Sequence, residues 1–283
     1  MPDKPPLTYE EVRRVLHLLD PLLADRRIIL VGGQAVAFWG RYLAHRSLEL
    51  TAAGVLTSKD IDFEGSAQSV TRAATLLAGR PKIATMDDNT PNTGIVLFTD
   101  SAGTPREIDF IDAPLGLGAR DVRDTAVLLA LDAEAGQPPV ELWVMHPERC
   151  MESRVINTTV LHTTAPLAIR QLDVSILCAR EWSSYLLDSD ELPQEKRVKA
   201  VLKLNERVFK HCMHDRRFRD VLHDHDIDPF RAVLAEHPLL PERFCAQRYP
   251  QMRTLLGERL RKDRRNRARA AARKALASPP GNG

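Results

Sequence analysis

What this chain lacks narrows it first. Its four cysteines, Cys150, Cys178, Cys212 and Cys245, lie far apart with no CxxC spacing, so neither a disulfide framework nor a paired-cysteine metal site is expected. No apolar run approaches the roughly 18 to 20 residues that cross a bilayer, so no membrane partner is expected. The first residues lack the basic, apolar and cleavage regions of a secretory leader, and with reduced thiols the expected compartment is the cytoplasm. No GxxxxGK[ST] occurs, so a P-loop is not supported. Net charge is also scarce, at +2 over 283 residues. It is distributed unevenly: residues 251–283 carry ten Lys/Arg against two Asp/Glu, which leaves −6 for residues 1–250.

What is present describes a folded chain. A hydrophobic content of 43% is ample for a core, and the length suits one large domain or two ordinary ones. Residues 8–24 carry apolar residues at helical spacing behind Thr8, with Glu11 three positions on, which is a capping-box pattern. A short strand at 28–31, the Gly32-Gly33 turn and a helix at 34–43 follow. Residues 44–57 read as loop with some helix, then a strand carries Asp60 and Asp62, and a helix covers 67–78. Further strands are expected at 82–84, 95–99 and 106–111, the last two as a hairpin, with polar residues 87–93 as a loop. A short helix is expected at 122–131 and one more strand at 140–145. From Pro147 onward the periodicity is helical, with long helices at 166–188, 193–211 and 250–274. The expected fold class is α+β, with a mixed-sheet domain over 1–145, a helical domain over 146–250 and a basic helix or tail over 251–283.

The chemistry is concentrated in residues 28–63. A strand's period of two puts Asp60 and Asp62 on one face, where like charges repel and a cation between them relieves the repulsion. Alternating acids and apolar residues also describe an ordinary half-buried strand, but two further features favour a site. Gly32-Gly33 after a strand permits a tight turn and a close backbone approach before a helix, although glycine pairs are mostly plain turns. Asp109 repeats the apolar–acid–apolar pattern between Ile108 and Phe110, ahead of Glu107 and Asp112 as the third acid. Ser58 and Lys59 precede the first acid, where they can touch phosphate or serve as a turn serine and a solvated lysine. Neither His211, Cys212 and His214 nor His223 to Asp226 supplies a closed zinc set.

Together these residues resemble the DNA polymerase beta-like nucleotidyltransferase superfamily. The resemblance implies a mixed-sheet nucleotidyltransferase domain followed by a helical domain. It also implies that Gly32 and Gly33 hold an NTP's triphosphate, and that Asp60, Asp62 and Asp109 are catalytic and bind Mg²⁺, with Mn²⁺ as a substitute. Within the superfamily the chain is similar to AbiEii/MenT-type toxins: His146-Pro147-Glu148 and Glu152-Ser153-Arg154 occupy comparable places, which implies a nucleotide contact for Arg154. The partners so implied are an NTP, a tRNA or other RNA reached through the basic tail, and a cognate antitoxin. The basic run at 261–274 has no aromatic residue, so its contacts would be to the phosphate backbone. The alternative is a non-catalytic nucleotide-binding or nucleic-acid-binding protein on a degenerate version of the same fold.

Overall fold

A computed structural model describes residues 6–277 except 55, 57, 59, 89, 91 and 132–138. The chain forms two compact units, Met1–Trp182 and Ser183–Gly283.

The first unit opens with α1 (Tyr9–Leu18) and α2 (Asp20–Ala24). The Thr8/Glu11 capping box forms as its sequence requires, with the Thr8 hydroxyl accepting from the Glu11 amide and the Glu11 carboxylate accepting from the Thr8 amide. The single helix expected over 8–24 is two helices, because Pro21 has no amide to donate and fits only a first turn.

The sheet has seven strands: β1 (Ile28–Val31), β2 (Ile61–Gly65), β3 (Arg80–Ile83), β4 (Asn92–Thr99), β5 (Pro105–Ile111), β6 (Val127–Leu131) and β7 (Val140–Val144). Their spatial order is β3-β4-β5-β2-β1-β7-β6, with β2/β5 and β1/β7 parallel and the remaining pairs antiparallel. This is the mixed sheet of an α+β fold. All four residues of β1 are fully buried at its centre, so its run of Ile and Leu carries no alternation. Phe63 and Phe110, on neighbouring strands, pack with ring centroids 5.8 Å apart.

Between the strands lie α3 (Gly32–Leu43), α4 (Leu48–Ala53), α5 (Ala67–Leu76) and α6 (Ala119–Thr125). The helix expected over 122–131 ends at Thr125, and the apolar run after it is β6. An apolar run of five fits a buried helix or a strand equally well. Pairing with β7 decides the matter, burying Leu129 and Leu131 while Leu128 and Ala130 face outward. Strand β4 also starts earlier than composition indicates, taking in Asn92 and Thr93.

After β7 come α7 (Pro147–Val160) and α8 (Pro166–Asp188). His146 caps α7 through Nδ1, which accepts from the Glu148 amide, and Pro147 occupies the first turn. The second unit contains α9 (Gln194–His214), α10 (Arg216–His225) and α11 (Tyr249–Ala277). Buried Asn205 holds the Leu234 backbone by two hydrogen bonds of 3.0 Å each. His211 stacks on Phe218 at 4.9 Å, the role of a packing ring. Part of the basic run is tied to α10, with Arg219 paired to Asp263 at 2.5 Å and Arg267 paired to Asp220 and Asp224. Among the described residues, no helix is long and apolar enough to cross a membrane.

Candidate active site

The site grows out of strand registers. Val31 pairs with Asp62 across the antiparallel β1/β2 ladder, and Asp62 pairs with Asp109 across the parallel β2/β5 ladder. Parallel partners in register point to the same face, so the two carboxylates stand side by side. Because Val31 is the last residue of β1, the Gly32-Gly33 turn emerges directly beside Asp62.

That proximity requires glycine at position 32, while Gly33 is crowded by other side chains. Gly32 has φ +67°, and a β-carbon there would overlap Oδ2 of Asp62. A β-carbon on Gly33 would lie 2.6 Å from Nε2 of Gln171 and 3.1 Å from Oγ of Ser58. The start of α3 is therefore bare backbone facing an acid, an amide and a hydroxyl. The Gly33 amide donates to the Asp62 carboxylate.

Asp62 is pushed up to about 6 from an ordinary 3.8. Burial is the main cause, and the charges of Asp109 and Asp60 add to it. The Arg154 charge and the Gly33 amide act in the opposite direction. Arg154, on α7, is half-buried, and desolvation lowers its pKa while Asp62 favours its charged form. Its Nη1 donates to Oε1 of Gln171 at 3.2 Å, and its Nε is buried without a hydrogen-bond partner. Asp109 Oδ1 accepts from Nδ2 of Asn92 at 3.0 Å. The end of β7 is held to α3 by Trp39, whose Nε1 donates to the Met145 carbonyl at 2.8 Å; α7, and Arg154 with it, starts just beyond.

Gly32, Gly33, Ser58, Asp62, Asp109 and Arg154 are thus linked by contact, register or direct electrostatic influence. Asp60 lies in an exposed bend just before β2, not inside the strand, but close enough for its charge to act on Asp62. Lys59 lies outside the described residues. Glu107 is one pleat from Asp109 on the same face of β5, and Asp112 follows that strand's end near Glu64. Two members escaped sequence reasoning. Gln171 is 5% exposed on α8, so a polar residue in an otherwise apolar helical stripe was the available signal. Asn92 offered none, being one of several polar residues in a stretch that composition assigns to a loop.

Carboxylate oxygens are the hard donors that Mg²⁺ and Mn²⁺ take, and a carboxyl raised by burial and by like-charged neighbours is one that a divalent cation relieves. The donor chemistry therefore fits such an ion. Among the described residues, no three His, Cys, Asp or Glu side chains converge into a ready-made cage.

An α+β fold with in-register acids beside a glycine turn is what the chain itself defines. The sequence matches no protein-family model and no curated protein. Among solved structures, the chain is similar to the Megavirus polyadenylate synthase, with 12% identity and a TM-score of 0.38 over 78% of this chain and 50% of that one. It thus spans about half the length of that protein.

Proposed function

We propose that this protein is a metal-dependent nucleotidyltransferase, moving an NMP from an NTP to an acceptor hydroxyl with release of pyrophosphate. The observation that carries the proposal is the in-register Asp62/Asp109 pair beside the bare Gly32-Gly33 backbone. Support also comes from Arg154, a half-buried cation within electrostatic reach of Asp62.

In this reading the triphosphate lies at the N-terminus of α3, where backbone amides and the helix dipole favour negative charge. Ser58 and Arg154 add side-chain donors to the phosphates, Gln171 orients the guanidinium, and Lys59 is a further candidate. Asp60, Asp62 and Asp109 would hold Mg²⁺ or Mn²⁺, which supplies charge neutralisation on the phosphates and activation of the acceptor hydroxyl. Asp109, steadied by Asn92, faces the acceptor. The acceptor oxygen forms its bond to the α-phosphorus as the bond to pyrophosphate breaks, with the hydroxyl proton leaving towards the acid cluster. By likeness to the toxin group the acceptor is an RNA 3′ end such as that of tRNA, and a cognate antitoxin would restrain the enzyme.

The test is incubation with each α-labelled NTP, Mg²⁺ and total RNA or protein. Label should enter one fraction, and Asp62→Asn and Asp109→Asn should each abolish it. Persistence of transfer in both variants removes the proposal. The absence of a three-acid cage among the described residues favours one second reading, a nucleotide-binding protein without catalysis. NTP would then raise the melting temperature with no pyrophosphate released.

A further inference from the structure

Helix α9 in the second unit carries a pattern that transfer chemistry leaves unused. Lys196, Lys199, Lys203, Arg207 and Lys210 recur at intervals of three and four residues, and all five are exposed. At about 100° per residue they fall within an arc of about 80°, opposite the buried face formed by Val201, Leu204, Asn205, Val208 and Phe209. With a rise of ~1.5 Å per residue, the row is about 21 Å long. Lys210 acts through its charge on Glu206, the next acid along the helix.

The acids along this face are counterbalanced. Glu206 lies in the fork of Arg248, at 2.6 Å to Nε and 2.9 Å to Nη2, and the Arg248 hydrogen bond holds its carboxyl below the usual range. Glu195 lies in the first turn of α9, where the helix dipole offsets its charge. Beside the row runs an open groove of about 810 Å³ whose apolar lining is Val198, Leu202 and Leu239. It has no aromatic side chain on which a base could stack.

We infer that this face of α9 binds the phosphate backbone of single-stranded nucleic acid. Cations one helical turn apart in a straight row match a polyanion that can follow one line. The row is long enough to follow several successive phosphates of one strand. A groove without aromatics predicts little preference among bases. The row belongs to the second unit and the acids to the first, so substitutions can remove either set of residues without touching the other.

Binding is measured with the full chain carrying Asp62→Asn, without NTP, using a fluorescent 20-nucleotide single-stranded RNA of mixed sequence over a range of salt. Combining Lys199→Gln, Lys203→Gln and Lys210→Gln should weaken binding about tenfold or more near physiological salt. It should also flatten the slope of log K against log[salt] by about 2, since each lost phosphate contact accounts for ~0.7. Removing equal charge from the first unit by Arg72→Gln, Arg80→Gln and Lys82→Gln should leave the slope in place, with unchanged melting curves confirming that both variants fold. Four results overturn the inference: no binding by the parent chain, an unchanged slope in the α9 variant, an equal loss in the first-unit variant, or poly-L-glutamate binding as tightly as RNA, which would indicate an acidic protein partner.

Discussion

Asp62 and Asp109 stand in register on adjacent parallel strands, β2 and β5, with Asp62 also beside the turn that starts α3. Two carboxylates held this way oppose each other's ionisation, and each strand is fixed by buried residues on both sides of its acid: Ile61 and Phe63, Ile108 and Phe110. The fold therefore holds a local electrostatic conflict in place instead of relaxing it.

Burial of Asp62, with that conflict added to it, makes stability depend on pH. Asp62 titrates near 6 in the folded chain and near 3.8 when unfolded. Between those values the folded state binds the proton and the unfolded state does not, so stability falls as pH rises through about 4 to 6 and stays lowered at pH 7. At ~1.4 kcal/mol per pKa unit, and with some solvent access to Asp62, the cost is about 1–3 kcal/mol. Asp62→Asn should raise the melting temperature at pH 7 by several degrees, with the gain vanishing below about pH 4. Melting curves from pH 3.5 to 8 check this; an equal gain at all pH values contradicts it.

Mg²⁺ should act on the same term. It should raise the melting temperature of the unmutated chain at pH 7.5, lose most of that effect near pH 5 as Asp62 takes up its proton, and have little effect on Asp62→Asn. Thermal melts with and without 5–10 mM Mg²⁺, roughly the range that saturates weak carboxylate sites, provide the comparison.

The two glycines should differ in their tolerance. Gly32→Ala combines a left-handed backbone with overlap on Asp62, a side chain anchored in the sheet, and should cost more than about 3 kcal/mol or prevent folding. At Gly33 the obstacle is the Gln171 amide at 2.6 Å, the end of a flexible side chain. Gly33→Ala should therefore be milder, and adding Gln171→Ala should recover part of the loss. Urea denaturation of the three variants tests that order.

Arg154 separates charge from geometry. Arg154→Gln removes the cation that lowers the Asp62 pKa, so the acidic limb of the transfer-rate profile should move above about pH 6. Arg154→Lys keeps the charge and leaves that limb in place, but loses the planar fork that meets Gln171. KM for NTP should then rise about tenfold. Steady-state pH profiles of the two variants distinguish the effects.

Thiol chemistry offers an independent check on the core. Cys150, Cys178 and Cys212 are buried, with burial raising each thiol's pKa and that of Cys150 to about 12, while Cys245 is half-buried. At pH 8 a thiol reagent should modify Cys245 quickly and the other three only after denaturation.

Much of this architecture was legible in the chain. Thr8 with Glu11, the apolar run before Gly32-Gly33 and the helical periods after Pro147 all act through local physics: capping, backbone freedom and amphipathic spacing. The acids were legible as candidates too, because a carboxylate between apolar residues is conspicuous in a strand pattern. The misread elements were those in which local signals tie. Val127–Leu131 fits helix or strand, and Asp60 sits where a strand can start a residue early or late.

What the sequence by itself determined is the set of parts: an acid on each of two strands, a glycine pair that opens a helix, and the helical periods after Pro147. What only the tertiary structure decided is their company. Register across β1, β2 and β5 sets Gly32, Asp62 and Asp109 together, and the packing of α7 and α8 brings Arg154 and Gln171 to the same place. Most of those contacts join residues far apart in the chain, and strand pairing and helix packing at that range depend on the whole core, which no local window of sequence contains.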